Sequence, residues 1–524
     1  MKRTALGFIL LLLVLGLCSC GGQKTQTMQI SVMKDKIAGG WAGKMIGVSY
    51  GAPTEFRARG TTYDKELVWA PDRVENSIHQ DDMYVQMSFM MTMDKYGMDA
   101  PAEKFAESFA NAGYQLWCAN VTARKNFFDG IMPPMSGNPK YNLWADAIDF
   151  QIEADYIGFM CPGMPQTANK MCDKVGHIMN YGDGVYGGMF VSSLYAQAFF
   201  EKDMNKIISK ALLSIPAESK YAQCIQQVID LYAQNPTDWR ASWQALEDRW
   251  GDDDISGPLD PFNIDAKLNG AYIVMGLLYG EGDFGKTMEI SIRCGQDSDC
   301  NPSNAAAVLG IRDGYSNIPD EWKGGIAAIA DTQFIYTAYS FNKVVDKTLD
   351  YAKKIIVENG GQVNDNSVVI KIQPPVPPAL EVSFPNLKPL YQSATTEDAW
   401  SWKGPWKVNT VKDYMSEKET TLKTAKKNAE TTFKFNGTGI LITGQWNRDG
   451  GKADVYIDGK LDRTIDTYYW VDENGFPGAF LYSNVDLPEG DHEIRIVVTG
   501  DKLKKATGTN VTISGAVVYG PKNV

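Results

Sequence analysis

The sequence predicts a two-part chain, a mostly helical domain followed by an all-β sandwich, and three observations predict it. From about Met33 to Asn359, segments such as KIAGGWAGKMIGV, MYVQMSFMMTMDKYG, GGMFVSSLYAQAFFEK and FNKVVDKTLDYAKKII place apolar residues at three- and four-residue spacing, the period of a helix. Pro374, Pro375, Pro377 and Pro378 then exclude a helix interior and favour a stiff extended connector. Beyond them, alternating runs such as TTFKFNGTGILITGQW, KADVYIDGKLDRTID and DHEIRIVVTG are punctuated by Asn-Gly, Asp-Gly and Gly-Gly, the pattern of sandwich hairpins. A chain of 524 residues exceeds one ordinary core, which agrees with several domains. The expected bounds are 1–20 for a leader, 30–360 for the helical domain, 361–386 for the connector and 387–524 for the sandwich.

The leader begins MKR and continues in an apolar run, Ile9 to Leu17, that fits a secretory signal and is too short for a permanent membrane span. Leu17-Cys18-Ser19-Cys20 carries the pattern of a bacterial lipoprotein signal, with Cys20 as the lipid acceptor because small Ser19 precedes it. The expected address is therefore the bacterial cell envelope, with membrane contact through the lipid anchor only. A formal charge of −12 excludes nucleic acid as a partner, since phosphate binding needs a cationic surface. Six scattered cysteines follow Cys20 without a C-x-x-C pair, which indicates neither a zinc ribbon nor a disulfide scaffold.

Candidate chemistry gathers in two acid pairs. Asp81 and Asp82 in HQDDMYVQM, and Asp297 and Asp299 in RCGQDSDCNPSNAAAVLG, each stand before a helix, the second expected to begin with Asn301 as cap and Pro302 as its first residue. Acids there are stabilised by the positive helix end, so either pair alone is ordinary. Two pairs in one domain can converge, and four carboxylates in one place repel unless cations lie between them. Oxygen donors suit Mg²⁺, Mn²⁺ or Ca²⁺, and with three histidines in the chain an imidazole site is disfavoured. A further run, Asp146, Asp149, Glu153 and Asp155, follows at helical spacing with apolar residues between.

In order, KIAGGWAGKMIGVSYGAPTEF, HQDDMYVQM and GQDSDCNPSNAAAVLGIRDGYSNIPDEW resemble the motifs of the ADP-ribosylglycohydrolase family. The resemblance covers roughly residues 33 to 345 and implies an all-α orthogonal bundle holding two divalent metals. It implies Asp81, Asp82, Asp297 and Asp299 as metal ligands, with Gln80 and Cys300 where the family has threonines, and Glu55 in the place of the family's essential glutamate. An amide oxygen still serves a hard cation, whereas a thiol is a poor partner for Mg²⁺, so one or two ions are expected, Mg²⁺ first among them. Val48 stands where the family has Asp, and Cys161 where it has Arg, removing a cation suited to a diphosphate. Glu153 and Asp155 are further candidates for the catalytic cleft, and Asp183 and Tyr186 in YGDGVYGGMF for substrate contact.

The carboxy-terminal part resembles carbohydrate-binding modules of the jelly-roll type, with Trp400, Trp402, Trp406, Trp446, Tyr468, Tyr469 and Trp470 as sugar-stacking candidates, half or more of them core. The expected function is exported, metal-dependent hydrolysis of N- or O-glycosidic bonds in a glycan or furanoside. The alternatives are removal of ADP-ribose from modified substrates, or glycan binding without catalysis.

Overall fold

A computed structural model describes residues 24–257, 259–412, 418–471 and 474–522; the expected leader and lipid acceptor Cys20 lie outside them. A helical domain is followed by two packed antiparallel sheets. No helix among the described residues is long and apolar enough to cross a membrane.

The helical domain is organised by one helix pair. Gly39, Gly43, Gly47 and Gly51 recur every fourth residue along the Ile30–Gly51 helix and so form one stripe. That stripe lies antiparallel against the Cys300–Asp313 helix and the loop before it. A β-carbon built at Gly39 would stand 2.0 Å from the Gly310 carbonyl oxygen, at Gly43 2.4 Å from that of Ala306, and at Gly51 2.1 Å from that of Ser298. Only glycine allows this backbone approach. Its consequence for function is positional, because it brings the end of the first helix, where the Glu55 loop begins, onto the Asp297–Asp299 loop. Backbone bonds from Phe56 N to Gln296 O (3.0 Å) and from Gln296 N to Ala58 O (2.8 Å) complete the tie.

The ends of this domain are clipped by a small sheet. Thr25–Gln29 pairs antiparallel with Ser367–Lys371, which also pairs with Gln362–Val363. Residues 361–372 of the expected connector therefore build onto the helical domain, and the Pro-rich part beyond them is a strap held along its length. Gln373 N donates to Gly163 O, Gln166 Nε2 to Pro374 O, Tyr186 Oη to Ala379 O, and Ser383 Oγ to Asp146. His177 Nε2 lies 3.0 Å from Glu381, with Asp173 on its other side. Burial alone would lower the His177 pKa, but Glu381 and Asp173 outweigh it and raise it above 6.5. A raised folded value makes this tether complete below the unfolded pKa and lost as pH rises through the folded one. Limited proteolysis of the strap, normalised to a denatured control, should be faster at pH 8 than at pH 6. His177→Ala should remove that difference.

In the sandwich, one sheet runs Lys460–Asp466, Lys452–Ile457, Gly490–Val498, Glu430–Gly437, Trp400–Lys403. The other runs Phe476–Asn484, Gly439–Trp446, Val511–Pro521, Lys418–Thr424, Lys407–Lys412, with Leu387–Ala394 added to Val511–Pro521. Glu430–Gly437 alternates buried and more open residues, as a half-covered strand does, whereas Gly439–Trp446 and Val511–Pro521 are buried on both faces. Their second face packs on the helical domain, where Leu441, Val517 and Tyr519 cluster with Leu143, Ala145 and Phe384. Tyr519 Oη donates to Ile255 O (2.9 Å), Phe480 stacks on Trp144 (4.6 Å), and Trp470 meets Phe128 edge-on (4.5 Å). Of the stacking candidates, Trp400, Trp446, Tyr468 and Tyr469 are core and Trp402, Trp406 and Trp470 are half-buried.

Candidate metal centre

Two three-residue groups share Asp299. Glu55, Asp297 and Asp299 present ligand atoms that all lie within 4.8 Å of one another, and so do Asp82, Asp299 and Cys300. Asp82 comes from the start of the Asp81–Tyr96 helix and Cys300 is the first residue of its own helix, two residues earlier in the chain than Pro302. Asp299 occupies the cap position without a side-chain cap bond, and Asn301 instead donates to Asn269 Oδ1 (2.9 Å). Thr54 Oγ1 bonds both Gly51 O and Ser298 Oγ at 2.7 Å, locking the two ligand-bearing loops together.

The carboxylates are crowded. Burial, then repulsion from Asp82 and Asp299, raises Asp81 to about 7; burial first and then nearby acids raise Asp299 to about 6 and hold Asp297 well above its ordinary value. Glu55 reaches solvent at the rim, yet repulsion from Asp299, followed by burial, raises it to about 9. Asp297 Oδ1 and Asp299 Oδ1 are buried without a hydrogen-bond partner, and neither residue forms an ion pair among the described residues. Orphaned, converging carboxylate oxygens are what a divalent cation satisfies, so the residues fit a metal. The thiol of Cys300, which donates to Asp82 Oδ2 at 3.0 Å, is the softer member of the set. Gln80 caps the Asp81–Tyr96 helix with extended backbone and lies half-buried beside it.

Beneath the cluster lies a buried lysine that motif reading passed over. Lys44 Nζ is 2.9 Å from Asp82 Oδ1, Asp155 Oδ2 and Ile152 O. Asp155 also accepts from Tyr195 Oη (2.5 Å), Asn304 Nδ2 (2.9 Å) and Gln86 Nε2 (3.3 Å). Asp155 thus anchors Lys44, and Lys44 in turn holds Asp82. A lysine one residue after Gly43, inside a run of glycines and apolar residues, was the available signal.

The acidic run around Glu153 is divided rather than gathered on one face. Asp146 goes to the strap, while Asp149 accepts from the amides of Ala119 and Asn120 (3.2 and 2.9 Å) and so caps the Cys118–Phe128 helix. Glu153 Oε1 accepts from Asn120 Nδ2 (2.5 Å), its Oε2 is buried and unpartnered, and burial followed by Asp149 holds its pKa well above the ordinary value. Its chain neighbour Ile152 accepts from Lys44 through its carbonyl, beside Asp82. Asp183 and Tyr186 are not brought to this centre. Asp183 accepts from Tyr221 N (3.1 Å), and Tyr186 Oη is occupied by Ala379 O and Glu381 N of the strap.

Residues 29–353 match the ADP-ribosylglycohydrolase family. A solved ADP-ribosylglycohydrolase-related protein complex is similar with a TM-score of 0.42 and 13% identity, covering 62% of this chain and 98% of that one. The CBM36-1 domain of a multidomain xylanase from the hindgut metagenome of Trinervitermes trinervoides is similar over 26% of this chain and 98% of its own, with a TM-score of 0.18 and 16% identity. An A type blood alpha-D-galactosamine galactosaminidase of Flavonifractor plautii is 31% identical over 127 residues, 23% of this chain. The chain spans 11% of that relative's length. Because the matched region exceeds half of the 524 residues and carries the acid pairs in order, this chain belongs to the ADP-ribosylglycohydrolase family, a family of metal-dependent hydrolases of glycosyl bonds.

Proposed function

We propose that this protein hydrolyses a glycosidic bond of a glycan or furanoside at the Asp82, Asp297, Asp299 centre. The observation that carries the reading is the pair of orphaned oxygens, Asp297 Oδ1 and Asp299 Oδ1, converging with Glu55 on one point. Asp82, Asp297, Asp299 and Cys300 would hold the metal, with Asp81 adding charge beside them; when bound, the cation acidifies water and orients sugar hydroxyls. With the repulsion from Asp299 offset by a cation, Glu55, at the solvent edge, is a carboxylate; it then takes the proton from the water attacking the anomeric carbon and passes it to the leaving group as that bond breaks. Glu153, wholly buried and holding Asn120, is less open to substrate. Lys44 holds Asp82 in place through a 2.9 Å ion pair, and the locked Thr54–Ser298 contact fixes Glu55 relative to the acids.

The carbohydrate reading is supported by the name of the galactosaminidase relative and by Cys161, which replaces the cation expected near a diphosphate. Export to the cell envelope belongs to the same reading and rests on residues 1–20. The family match favours a second reading, release of ADP-ribose from a modified side chain. The test is hydrolysis of a panel of aryl glycosides, aryl furanosides and oligosaccharides, beside an ADP-ribosylated arginine peptide, with and without chelator. Sugar release that chelator abolishes and Mg²⁺ or Mn²⁺ restores is expected. ADP-ribose release with no sugar release would transfer the assignment to the second reading.

A further inference from the structure

We propose that the groove between the two domains is a binding subsite for the sugars of a neutral glycan that lie beyond the bond being cleaved. This rests on the glycan reading of the centre and adds the residues that would read chain length. The groove, about 570 Å³, is walled on one side by Gln115, Leu116 and Trp117 and on the other by Tyr469, Phe476 and the amides of Gln445 and Asn474. Its size is that of a site for a small oligosaccharide.

Three observations support this occupant. First, the groove adjoins the centre: Tyr84, one helical turn after Asp81, donates to Gln115 O at 3.4 Å, and Asn120, three residues after Trp117, donates to Glu153. Second, the half-buried Trp117 is uncommitted, since among the described residues its indole N–H has no acceptor and its ring no aromatic partner. Third, the half-buried rings of Trp117 and Phe476, beside the amides of Gln445 and Asn474, suit the apolar faces and hydroxyls of sugar rings, while Lys412 is the one charged residue among the described residues of the wall. A diphosphate or an acidic peptide would call for more cations. The two walls are held in register by the Phe480–Trp144 and Trp470–Phe128 contacts, so the groove is built by domain docking rather than by either domain alone.

The experiment is calorimetric binding of pentose and hexose monosaccharides and the matching tetrasaccharides to the full chain in chelator, where hydrolysis is stopped. The parent should bind one tetrasaccharide at least tenfold more tightly than its monosaccharide. That gain should fall below threefold in Trp117→Ala and in Phe476→Ala, be retained in Trp117→Phe, and be untouched by Trp402→Ala on the other sheet. A gain that survives Trp117→Ala and Phe476→Ala, or that disappears in Trp402→Ala instead, overturns the proposal. So does a parent that binds no tetrasaccharide, or prefers an acidic peptide, even if it hydrolyses ADP-ribosyl substrates. Chain-length-dependent binding through Trp117 without hydrolysis of any substrate would uphold the subsite and sink the hydrolase reading.

Discussion

Replacing Asp297 and Asp299 together with asparagine should abolish binding of Mg²⁺ and Mn²⁺ by calorimetry and reduce hydrolysis by about 10³-fold or more, the loss that follows from removing several kcal/mol of metal assistance. The same variant should be more stable than the parent in chelator. Both carboxyls are raised in the folded chain, Asp299 to about 6 from 3.8 and Asp297 well above that ordinary value. A group whose folded pKa exceeds its unfolded one opposes folding once pH passes the unfolded value, and the penalty is complete above the folded value. The double variant should therefore melt above the parent at pH 8 in chelator, with the gap closing as pH falls toward 4. Added metal should stabilise the parent and leave the variant unmoved. A variant that unfolds in chelator at pH 8, or one that binds metal as the parent does, would show that these oxygens are structural and that the centre lies elsewhere.

What was legible in the sequence follows from what each residue type can do alone. The helical period and the strand alternation are local properties and were readable for that reason. Long-range partners were not. The close packing of Gly39, Gly43 and Gly47 on the Cys300–Asp313 helix, which places Glu55 against Asp297 and Asp299, became visible only in the structure, because a glycine's local pattern does not name the backbone it meets. Asp149 and Asp155 follow the same helical spacing as Glu153, yet one caps a helix and the other anchors a lysine, and nothing in spacing distinguishes them. Tyr186 lies in a glycine-rich loop suited to a ligand, but its hydroxyl is taken by a strap nearly two hundred residues later in the chain. The strand containing GAVVYG reads as one of the sandwich's alternating hairpin strands, and its burial on both faces depends on the helical domain packing over it, which no local pattern announces.

Lys44→Met is expected to cost about 3–5 kcal/mol of stability, the range for breaking a buried ion pair from one side. The reason is the asymmetry of what remains. Lys44 is wholly buried between Asp82 and Asp155, with burial opposing its charge and the two carboxylates overriding that opposition to raise its pKa. Methionine fills the volume but leaves both acids without their cation. Asp155 would keep Tyr195, Asn304 and Gln86, whereas Asp82 would keep only the Cys300 thiol among its side-chain partners. The damage should therefore concentrate at Asp82, and metal affinity should fall along with stability. Adding Asp155→Leu to Lys44→Met removes one of the stranded charges, so the double variant should be more stable in urea than Lys44→Met alone, a non-additivity expected only of groups in contact. It should not recover metal affinity, because Asp82 still lacks the ammonium that aims it. If Lys44→Met unfolds in urea like the parent while retaining full metal affinity, Lys44 plays no part in holding the centre, and the fixed orientation of Asp82 must come from the Cys300 contact and the start of its own helix.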